Sequence, residues 1–288
     1  MRVGIIGLGL IGGSLARDLR GREHEVKGYD INPIHADQAV DYGLIEESME
    51  LAELASWSEF VIVAVTVKHT AEIIREVLDL MKWSTVVIDV ASTKESICQK
   101  VRSHTKRGRY VACHPLAGTE FSGPKAAIES LFEQKKNIIC EEHASDEDAL
   151  EIAIDLLSSI GLQHMYMDPK QHDKHMAYVS HLSHVSAFTL STTVLDIEQD
   201  QKQIFNLAST GFASTVRLAK SNPATWASIF ADNADHLLTA LDSYINELAE
   251  MREMIANDDQ EGIMNKIEAS NAIKRVLNGM KHNIVKVS

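Results

Sequence analysis

Short, almost uniformly apolar runs alternate with amphipathic stretches in the first part of the chain. Residues 3–6, 60–65 and 85–90 are nearly all aliphatic, which is typical of strands buried on both faces of a parallel sheet. Strands that alternate with helices of ten or more residues predict a doubly wound, mostly parallel α/β sheet with right-handed crossovers. The other predicted strands are 24–30, 110–113, 137–140 and 163–167, and the predicted helices after the first are 33–42, 71–80, 94–103 and 145–160.

The pattern changes near Asp168 and Pro169. Beyond residue 171 we find no convincing strand-like alternation, and long segments such as 229–257 carry leucine, isoleucine and methionine at helical spacing. We therefore predict an α/β domain over residues 1–167 and an all-α domain over residues 168–288. So much apolar surface in a small helical domain also suggests that part of it pairs with a second subunit.

A glycine-rich turn follows the first predicted strand. Gly7, Gly9 and Gly12 have the spacing G-x-G-x-x-G, and a helical pattern begins directly afterwards. The first glycine permits a tight turn, the second lets a pyrophosphate approach the backbone, and the third lets helix and strand pack closely. Asp30 ends the second predicted strand, at about the 20-residue distance expected for a carboxylate that binds an adenosine ribose. An ordinary glycine-rich turn is the alternative, but both features together predict a dinucleotide site.

Composition and charge narrow the class of protein. The chain has 288 residues, 45% of them hydrophobic and 24% charged, with a formal net charge of -13. This charge argues against nucleic acid or an anionic membrane surface as a partner. No apolar run approaches the roughly 20 residues of a membrane span. Cys98, Cys113 and Cys140 show no zinc or disulfide spacing, so we expect reduced thiols in a cytoplasmic protein.

Two polar residues follow neighbouring predicted strands at their carboxyl ends, where ligands bind in such sheets. His114 opens the loop after strand 110–113, and an imidazole titrates near neutrality, so it suits a general base for oxidation of an alcohol by a nicotinamide cofactor. Ser92 lies in a neighbouring loop, where its hydroxyl could orient the same alcohol. The alternatives are a histidine packed under the sheet and a serine that caps the helix beginning near Lys94.

The helical half adds further candidates. His181 and His184 lie one helical turn apart, a spacing that can hold a metal. No nearby Glu or Cys completes a set of ligands, so we expect no metal site. Arg217 ends a mostly neutral stretch, and its planar guanidinium could receive a substrate carboxylate. A solvent-facing arginine is the alternative interpretation.

Five successive motifs resemble those of the prephenate/arogenate dehydrogenase family of tyrosine biosynthesis: GLGLIGGSLA, DVASTK, HPLAGTE, SHLSH and GFASTVRLAKSNPATW. They run in order from residue 1 to about residue 233, and HPLAGTE together with SHLSH is far more specific than the glycine loop. The resemblance implies a Rossmann-type NAD(P)-binding domain followed by an all-α dimerisation domain, and hence a homodimer. It also implies the oxidative decarboxylation of prephenate to 4-hydroxyphenylpyruvate.

The same resemblance implies roles for individual residues. His114 would accept the proton of the substrate hydroxyl, and Ser92 would contact that hydroxyl and the nicotinamide end of the cofactor. Arg217 would bind a substrate carboxylate, and Glu120 would gate the pocket. The other pocket residues implied are Ser180, His181, His184 and Trp226, and the cofactor residues are Gly7, Gly9, Leu10, Ile11, Gly12, Asp30, Val65 and Thr66.

The chain departs from the family pattern at one place. Many members read G-F-R-D-x-T-R where this chain has Ala213 and Ser214 in place of a basic and an acidic residue. The missing acid could have attracted the side-chain ammonium of arogenate, so we expect prephenate to be preferred. Asp30 repels a ribose 2′-phosphate and no arginine follows it, so we expect NAD rather than NADP.

Several alternatives remain at this point. The chain could be an arogenate dehydrogenase or a dual-specificity cyclohexadienyl dehydrogenase. It could also be another two-domain hydroxyacid-type dehydrogenase, although many of those use a lysine in the second domain, where this chain has SHLSH. A non-catalytic NAD-sensing module is the last alternative. We expect no fused chorismate mutase segment and no separate regulatory domain, and inhibition by tyrosine stays open.

Overall fold

The computed structural model describes residues 1–201 and 209–275, and the described residues form one seven-stranded sheet. Its strands are β1 (Arg2–Ile6), β2 (Glu25–Tyr29), β3 (Phe60–Val63), β4 (Val86–Asp89), β5 (Tyr110–Pro115), β6 (Lys136–Cys140) and β7 (Gln163–Met167). Their order across the sheet is β2-β1-β3-β4-β5-β6-β7. The first five pair in parallel, β6 is antiparallel to β5, and β7 is parallel to β6. The predicted mostly parallel sheet is confirmed.

Helices cover the sheet and form most of the chain after it. They are α1 (Leu10–Arg20), α2 (Pro33–Asp41), α3 (Leu51–Trp57), α4 (Val67–Leu80), α5 (Glu95–Val101), α6 (Glu147–Ser159), α7 (Pro169–Met176), α8 (Leu182–Gln201), α9 (Thr210–Thr215), α10 (Pro223–Asp232), α11 (Ala234–Ala256) and α12 (Gln260–Ser270). A π-helical turn, Ala177–His181, joins α7 to α8, and a 3-10 turn, Arg217–Lys220, follows α9. None of the described helices has the length and apolar character needed to cross a membrane.

The continuous apolar runs arise because the sheet is covered on both faces. Successive side chains of a strand point to opposite faces. In β3, Phe60 and Ile62 therefore enter one hydrophobic cluster, and Val61 and Val63 enter the other. All four are fully buried, and each contributes about 1.5–3 kcal/mol by leaving water. Two-sided burial explains why these strands lack polar alternation.

The chain divides into two compact units, Met1–Leu237 and the part from Leu238 onward. The first unit holds the sheet and every residue of the site described below. The predicted domain boundary at residue 167 falls inside this unit and stays a prediction. Residues 202–208 and 276–288 lie outside the described part of the chain, as do the first residues of the stretch 206–217 that ends in Arg217.

Several predicted element bounds were wrong near the carboxyl ends of the strands. Helix α4 begins at Val67, with Thr66 as its N-cap, rather than at residue 71. Residues 67–70 have no helical spacing of apolar side chains, so the sequence does not mark them as helical. They still form the first turn of α4, in which Val67 and Thr70 are buried. His114 lies within β5 rather than in the following loop, because pairing with β6 extends the ladder to Pro115.

Candidate active site

The glycine loop has the shape that a dinucleotide requires. Gly7 has a φ of +90°, a conformation that side chains rarely adopt, and a Cβ there would press on the backbone of Ala64. A Cβ at Gly12 would collide with the carbonyl oxygen of Gly7, so only glycine lets α1 approach the turn. A Cβ at Gly9 would meet nothing within 4 Å. The open space above Gly9, in front of the N-terminus of α1, fits a pyrophosphate.

Asp30 is held beside this loop by the backbone. Its Oδ2 accepts from the amide of Leu8 at 2.8 Å, and its Oδ1 accepts from the amide of Asn32 at 2.9 Å. His35 Nδ1 lies 3.6 Å from Oδ2. Because these bonds fix the carboxylate at the end of β2, it is ready to receive ribose hydroxyls. The other predicted cofactor residues lie near it along the sheet edge: Leu10 and Ile11 begin α1, and Val65 and Thr66 follow β3, which pairs with β1.

His114 begins a chain of contacts through two residues that the sequence interpretation missed. Its Nδ1 lies 2.8 Å from Nε2 of His172, and His172 Nδ1 lies 2.7 Å from Oδ1 of Asp173. His114 is 9% exposed, His172 is fully buried and Asp173 is 2% exposed. The histidine at the carboxyl end of β5 is thus bonded to a second histidine on α7, which is itself bonded to a carboxylate.

The carboxylate of Asp173 also caps α5. It accepts from the amide of Lys94 at 2.7 Å and from the amide of Glu95 at 2.9 Å. The suggestion that Ser92 caps this helix was therefore wrong, since a carboxylate from α7 satisfies those amides. Ser92 itself is half-buried in the loop after β4. Strand β4 pairs with β5, the strand that carries His114.

A buried ion pair joins the two ends of the loop that carries Ser92. Lys94 and Asp89 have no exposed side-chain surface and form a salt bridge. Asp89 also accepts from the hydroxyl of Tyr110 at 2.7 Å and from the amide of Ala91 at 3.0 Å. Burial alone would lower the pKa of Lys94, but the adjacent carboxylate outweighs it and raises that pKa. A permanent positive charge therefore lies beneath the loop.

A second pair of histidines, His181 and His184, lies next to the pair formed by His114 and His172. Asn233 Nδ2 donates to the carbonyl of Asp173 at 2.8 Å and lies 3.1 Å from Nδ1 of His181. His184 stacks on Trp226, with ring centroids 3.3 Å apart, and its Nδ1 lies 3.0 Å from the carbonyl oxygen of Ser180. The ring of His181 also lies 6.0 Å from that of Trp226, so these contacts place His181, His184, Ser180 and Trp226 close together.

Arg217 reaches the loop that follows His114. Its Nη1 donates to Oε2 of Glu120 at 2.9 Å, and its side chain is 52% exposed. Burial lowers the pKa of His184, the bond to Ser180 opposes this, and the charge of Arg217 adds to the lowering. Arg217 therefore lies near His184 while its guanidinium still faces solvent. Ala213 and Ser214 are exposed on α9, so this cation has Glu120 as its acidic partner.

Burial keeps the inner imidazoles neutral. It lowers the pKa of His114 well below 6.5, and the nearby His172 and Lys94 lower it further. Burial also lowers the pKa of His172, although Asp173 opposes the effect. The pKa of His181 falls to about 4, chiefly through burial. At neutral pH these rings each have one donor and one acceptor nitrogen.

The sequence offered little signal for His172 and Asp173. They belong to the polar run Pro169–Met176, in which histidines and charged residues dominate. Only the Asp168–Pro169 helix start marks this segment, because Asp168 accepts from the amide of Gln171. Lys94 was seen only as part of DVASTK, and its complete burial could not be read from the motif.

These features define a class of protein. A glycine loop on β1, an acid after β2, and a buried imidazole at the end of β5 belong to a nicotinamide-dependent oxidoreductase with a doubly wound sheet. Two family models match the chain: the nucleotide-binding domain of prephenate dehydrogenase at residues 15–166, and its dimerization domain at residues 168–269. The chain belongs to the prephenate dehydrogenase family.

Individual relatives agree with this assignment. The prephenate dehydrogenase of Bacillus subtilis is 30% identical over 90% of this chain and 71% of its own length. The cyclohexadienyl dehydrogenase of Zymomonas mobilis is 28% identical over 96% of this chain and 95% of its own length. Among solved structures, Aquifex aeolicus prephenate dehydrogenase in complex with hydroxyphenyl propionate and NAD+ superposes with a TM-score of 0.87 at 30% identity, covering 96% of this chain and 97% of that one.

Proposed function

We propose that this chain is an NAD-dependent prephenate dehydrogenase, which converts prephenate to 4-hydroxyphenylpyruvate and carbon dioxide. The observation that carries the proposal is the buried imidazole of His114 at the carboxyl end of β5, bonded to His172, which is in turn bonded to Asp173. The similarity to prephenate dehydrogenases and the NAD+ complex of one solved relative support the same activity.

His114 is the general base of the proposed reaction. Oxidation removes the hydroxyl proton and a hydride from the carbinol carbon, and the ring carboxylate leaves as carbon dioxide, so the ring becomes aromatic. NAD+, when bound, supplies the hydride acceptor. His114 receives the proton, because burial lowers its pKa and leaves the ring unprotonated at neutral pH. Loss of carbon dioxide leaves a phenolate, and His114 returns the proton to its oxygen, so the product is the phenol and the base is regenerated. Ser92, on the adjacent strand end, orients the same hydroxyl.

The cofactor is held by residues that directly follow β1, β2 and β3. The amides at the N-terminus of α1 face the pyrophosphate above Gly9, and Asp30 accepts from the adenosine ribose. Leu10 and Ile11 begin the same helix, and Val65 and Thr66 line the neighbouring strand end.

The substrate lies between the strand ends and the helical segment. Arg217 binds a substrate carboxylate with a guanidinium that is half exposed, and Glu120 releases it on binding. Trp226 and the stacked His184 form an aromatic wall for the substrate ring. Ser180 and His181 complete the pocket, His181 through its bond with Asn233.

The chain also has the features of a dimeric enzyme. We propose a homodimer formed through the helical domain, with the domain boundary at residues 167–168, where the two family models meet. Exposed apolar side chains on α8 and α11 support this, among them Leu195, Leu248 and Ile255. Sedimentation of purified protein would show a single species of twice the chain mass.

The three cysteines are free and buried, which supports a cytoplasmic location. Cell fractionation would test that location.

Steady-state kinetics with two substrates tests the proposed activity. With NAD+, we expect kcat/KM for prephenate to exceed that for arogenate by at least about tenfold, because Ser214 stands where many members have an acid that could pair with an ammonium. NADH formation measures both rates. Higher efficiency with arogenate would overturn the substrate assignment, and no turnover of either would overturn the activity.

Asp30 is expected to set the choice of cofactor. Asp30→Ser removes the charge that repels a 2′-phosphate, while the hydroxyl still bonds the local backbone. We expect the ratio of kcat/KM for NADP+ to that for NAD+ to rise roughly 10- to 100-fold. Asp37→Ser makes the same charge change on the exposed face of α2 and serves as the matched control. Equal use of both cofactors by the wild type would contradict the assignment.

A further inference from the structure

Three buried side chains form a line that ends at the proposed base. The line runs from Asp173 Oδ1 to His172 Nδ1 at 2.7 Å, and from His172 Nε2 to His114 Nδ1 at 2.8 Å. His172 has no exposed surface, so water cannot substitute for either partner. The two rings meet edge to face, with an interplanar angle of 71°, so ring nitrogens rather than ring faces are in contact.

The donor and acceptor of each hydrogen bond in this line follow from the chemistry of its three side chains. A carboxylate can only accept, and Asp173 already accepts from the amides of Lys94 and Glu95 at the start of α5. His172 Nδ1 must therefore carry the proton. A neutral imidazole has one N–H, so His172 Nε2 is an acceptor and His114 Nδ1 must donate to it. The free lone pair of His114 is left on Nε2.

We propose that His172 and Asp173 are positioning residues that fix His114 in the tautomer whose Nε2 can accept a proton from the substrate. This inference rests on the proposed role of His114 as base. His172 sets the tautomer directly, and Asp173 sets that of His172. The N-terminus of α5 fixes Asp173 in turn, so the base is oriented through His172, Asp173 and the start of α5.

The same line stabilises the charge that forms during the reaction. When His114 accepts a proton on Nε2, its Nδ1 keeps the bond to His172, and the negative charge of Asp173 lies one ring away. Lys94, before α5, is a cation that opposes this charge, and its salt bridge with Asp89 at the end of β4 weakens its effect. His181, on the π-helical turn, also faces this group, and its low pKa leaves it uncharged. Asp173 is therefore the counter-ion of the transient imidazolium.

Substitutions at His172 separate a positioning role from a merely structural one. His172→Leu keeps a similar volume but offers no acceptor, so we expect kcat to fall on the order of 10²–10⁴-fold, as expected when a base is left in the wrong tautomer. His172→Gln offers an amide oxygen to His114 Nδ1, so we expect it to recover most of that loss. The KM for prephenate should stay within a few-fold of wild type in both variants.

Nitrogen NMR of histidine-labelled holoenzyme reads the tautomers without turnover. We expect the proton on Nδ1 of both His114 and His172 in the wild type, with signals assigned from the His114→Asn and His172→Gln variants. In His172→Leu the His114 proton should no longer be confined to Nδ1. His164→Gln, at a half-buried histidine of β7 outside the line, should leave both kcat and these signals unchanged.

The outcomes separate this inference from the proposed activity. A His114 proton on Nε2 in the wild type, or equal kcat losses in His172→Leu and His172→Gln, would overturn the inference. Full activity in His172→Leu would do the same. Absence of prephenate turnover in the wild type would overturn the proposed activity, while the tautomer measurement would still stand.

Discussion

Replacing His114 with asparagine is expected to lower kcat for prephenate oxidation on the order of 10²–10⁴-fold, the usual contribution of a positioned general base. Asparagine has a similar size and keeps a polar group near His172, but it cannot accept a proton at neutral pH. Other residues are proposed to bind the substrate carboxylate, the substrate ring and the cofactor, so KM for prephenate and NAD+ should change little. Steady-state rates of NADH formation measure both parameters.

The pH profile gives this prediction a second readout. Burial, with the charge of Lys94, lowers the pKa of His114 well below 6.5. The base is therefore unprotonated, and active, above that low pKa, and activity is lost only as the pH falls through it. We expect the acid limb of kcat/KM for the wild type to lie below pH 6.5 and to disappear in His114→Asn. An unchanged profile in the variant would assign the limb to another group.

Local chemistry made the cofactor half of the site predictable. Gly7 and Gly12 each meet a steric demand that only glycine satisfies, and Gly9 leaves open the space for a pyrophosphate. Such demands appear as a fixed spacing in the sequence. The position of Asp30 was predictable because the acid that binds the ribose ends the second strand, about one strand-helix-strand unit after the glycine turn. The buried strands were equally clear, because two-sided burial leaves uniform apolar runs such as Phe60–Val63.

The catalytic half depended on contacts between distant parts of the chain. His114 could be proposed from its motif, but its partner His172 comes 58 positions later, in a helix with no apolar stripe to mark its buried face. Asp173 serves both as partner of His172 and as cap of α5. Neither role has a local pattern, since each depends on how α7 packs against the sheet.

Asn233 shows the same limit in the helical half. Apolar spacing predicted one segment over 229–257, whereas α10 ends at Asp232 and α11 begins at Ala234. The side chain of Asn233 turns inward to the carbonyl of Asp173 and to His181. The helix is interrupted at Asn233, whose side chain links the segment of His172 and Asp173 to His181. A periodic apolar pattern cannot reveal such an interruption.

Removing the buried charge of Lys94 is expected to have the largest effect on stability. Lys94→Met keeps the volume of the side chain but leaves Asp89 without its cation in a site closed to water. Breaking a buried pair in this way costs about 3–5 kcal/mol of the free energy of unfolding. Asp89 keeps its bonds from the Tyr110 hydroxyl and the Ala91 amide, so we expect a value nearer the lower figure. Urea unfolding of the wild type and the variant measures the difference.

Two matched variants show whether the loss comes from the unpaired charge. Lys27→Met breaks a pair with Glu47 at the protein surface, where solvent weakens the attraction, so it should change the unfolding free energy much less. In the double variant Asp89→Asn/Lys94→Met neither position of the pair carries a charge, and we expect part of the loss to be recovered. If Lys94→Met were as stable as the wild type, or if the double variant lost the sum of both single losses, the pair would not act as a unit.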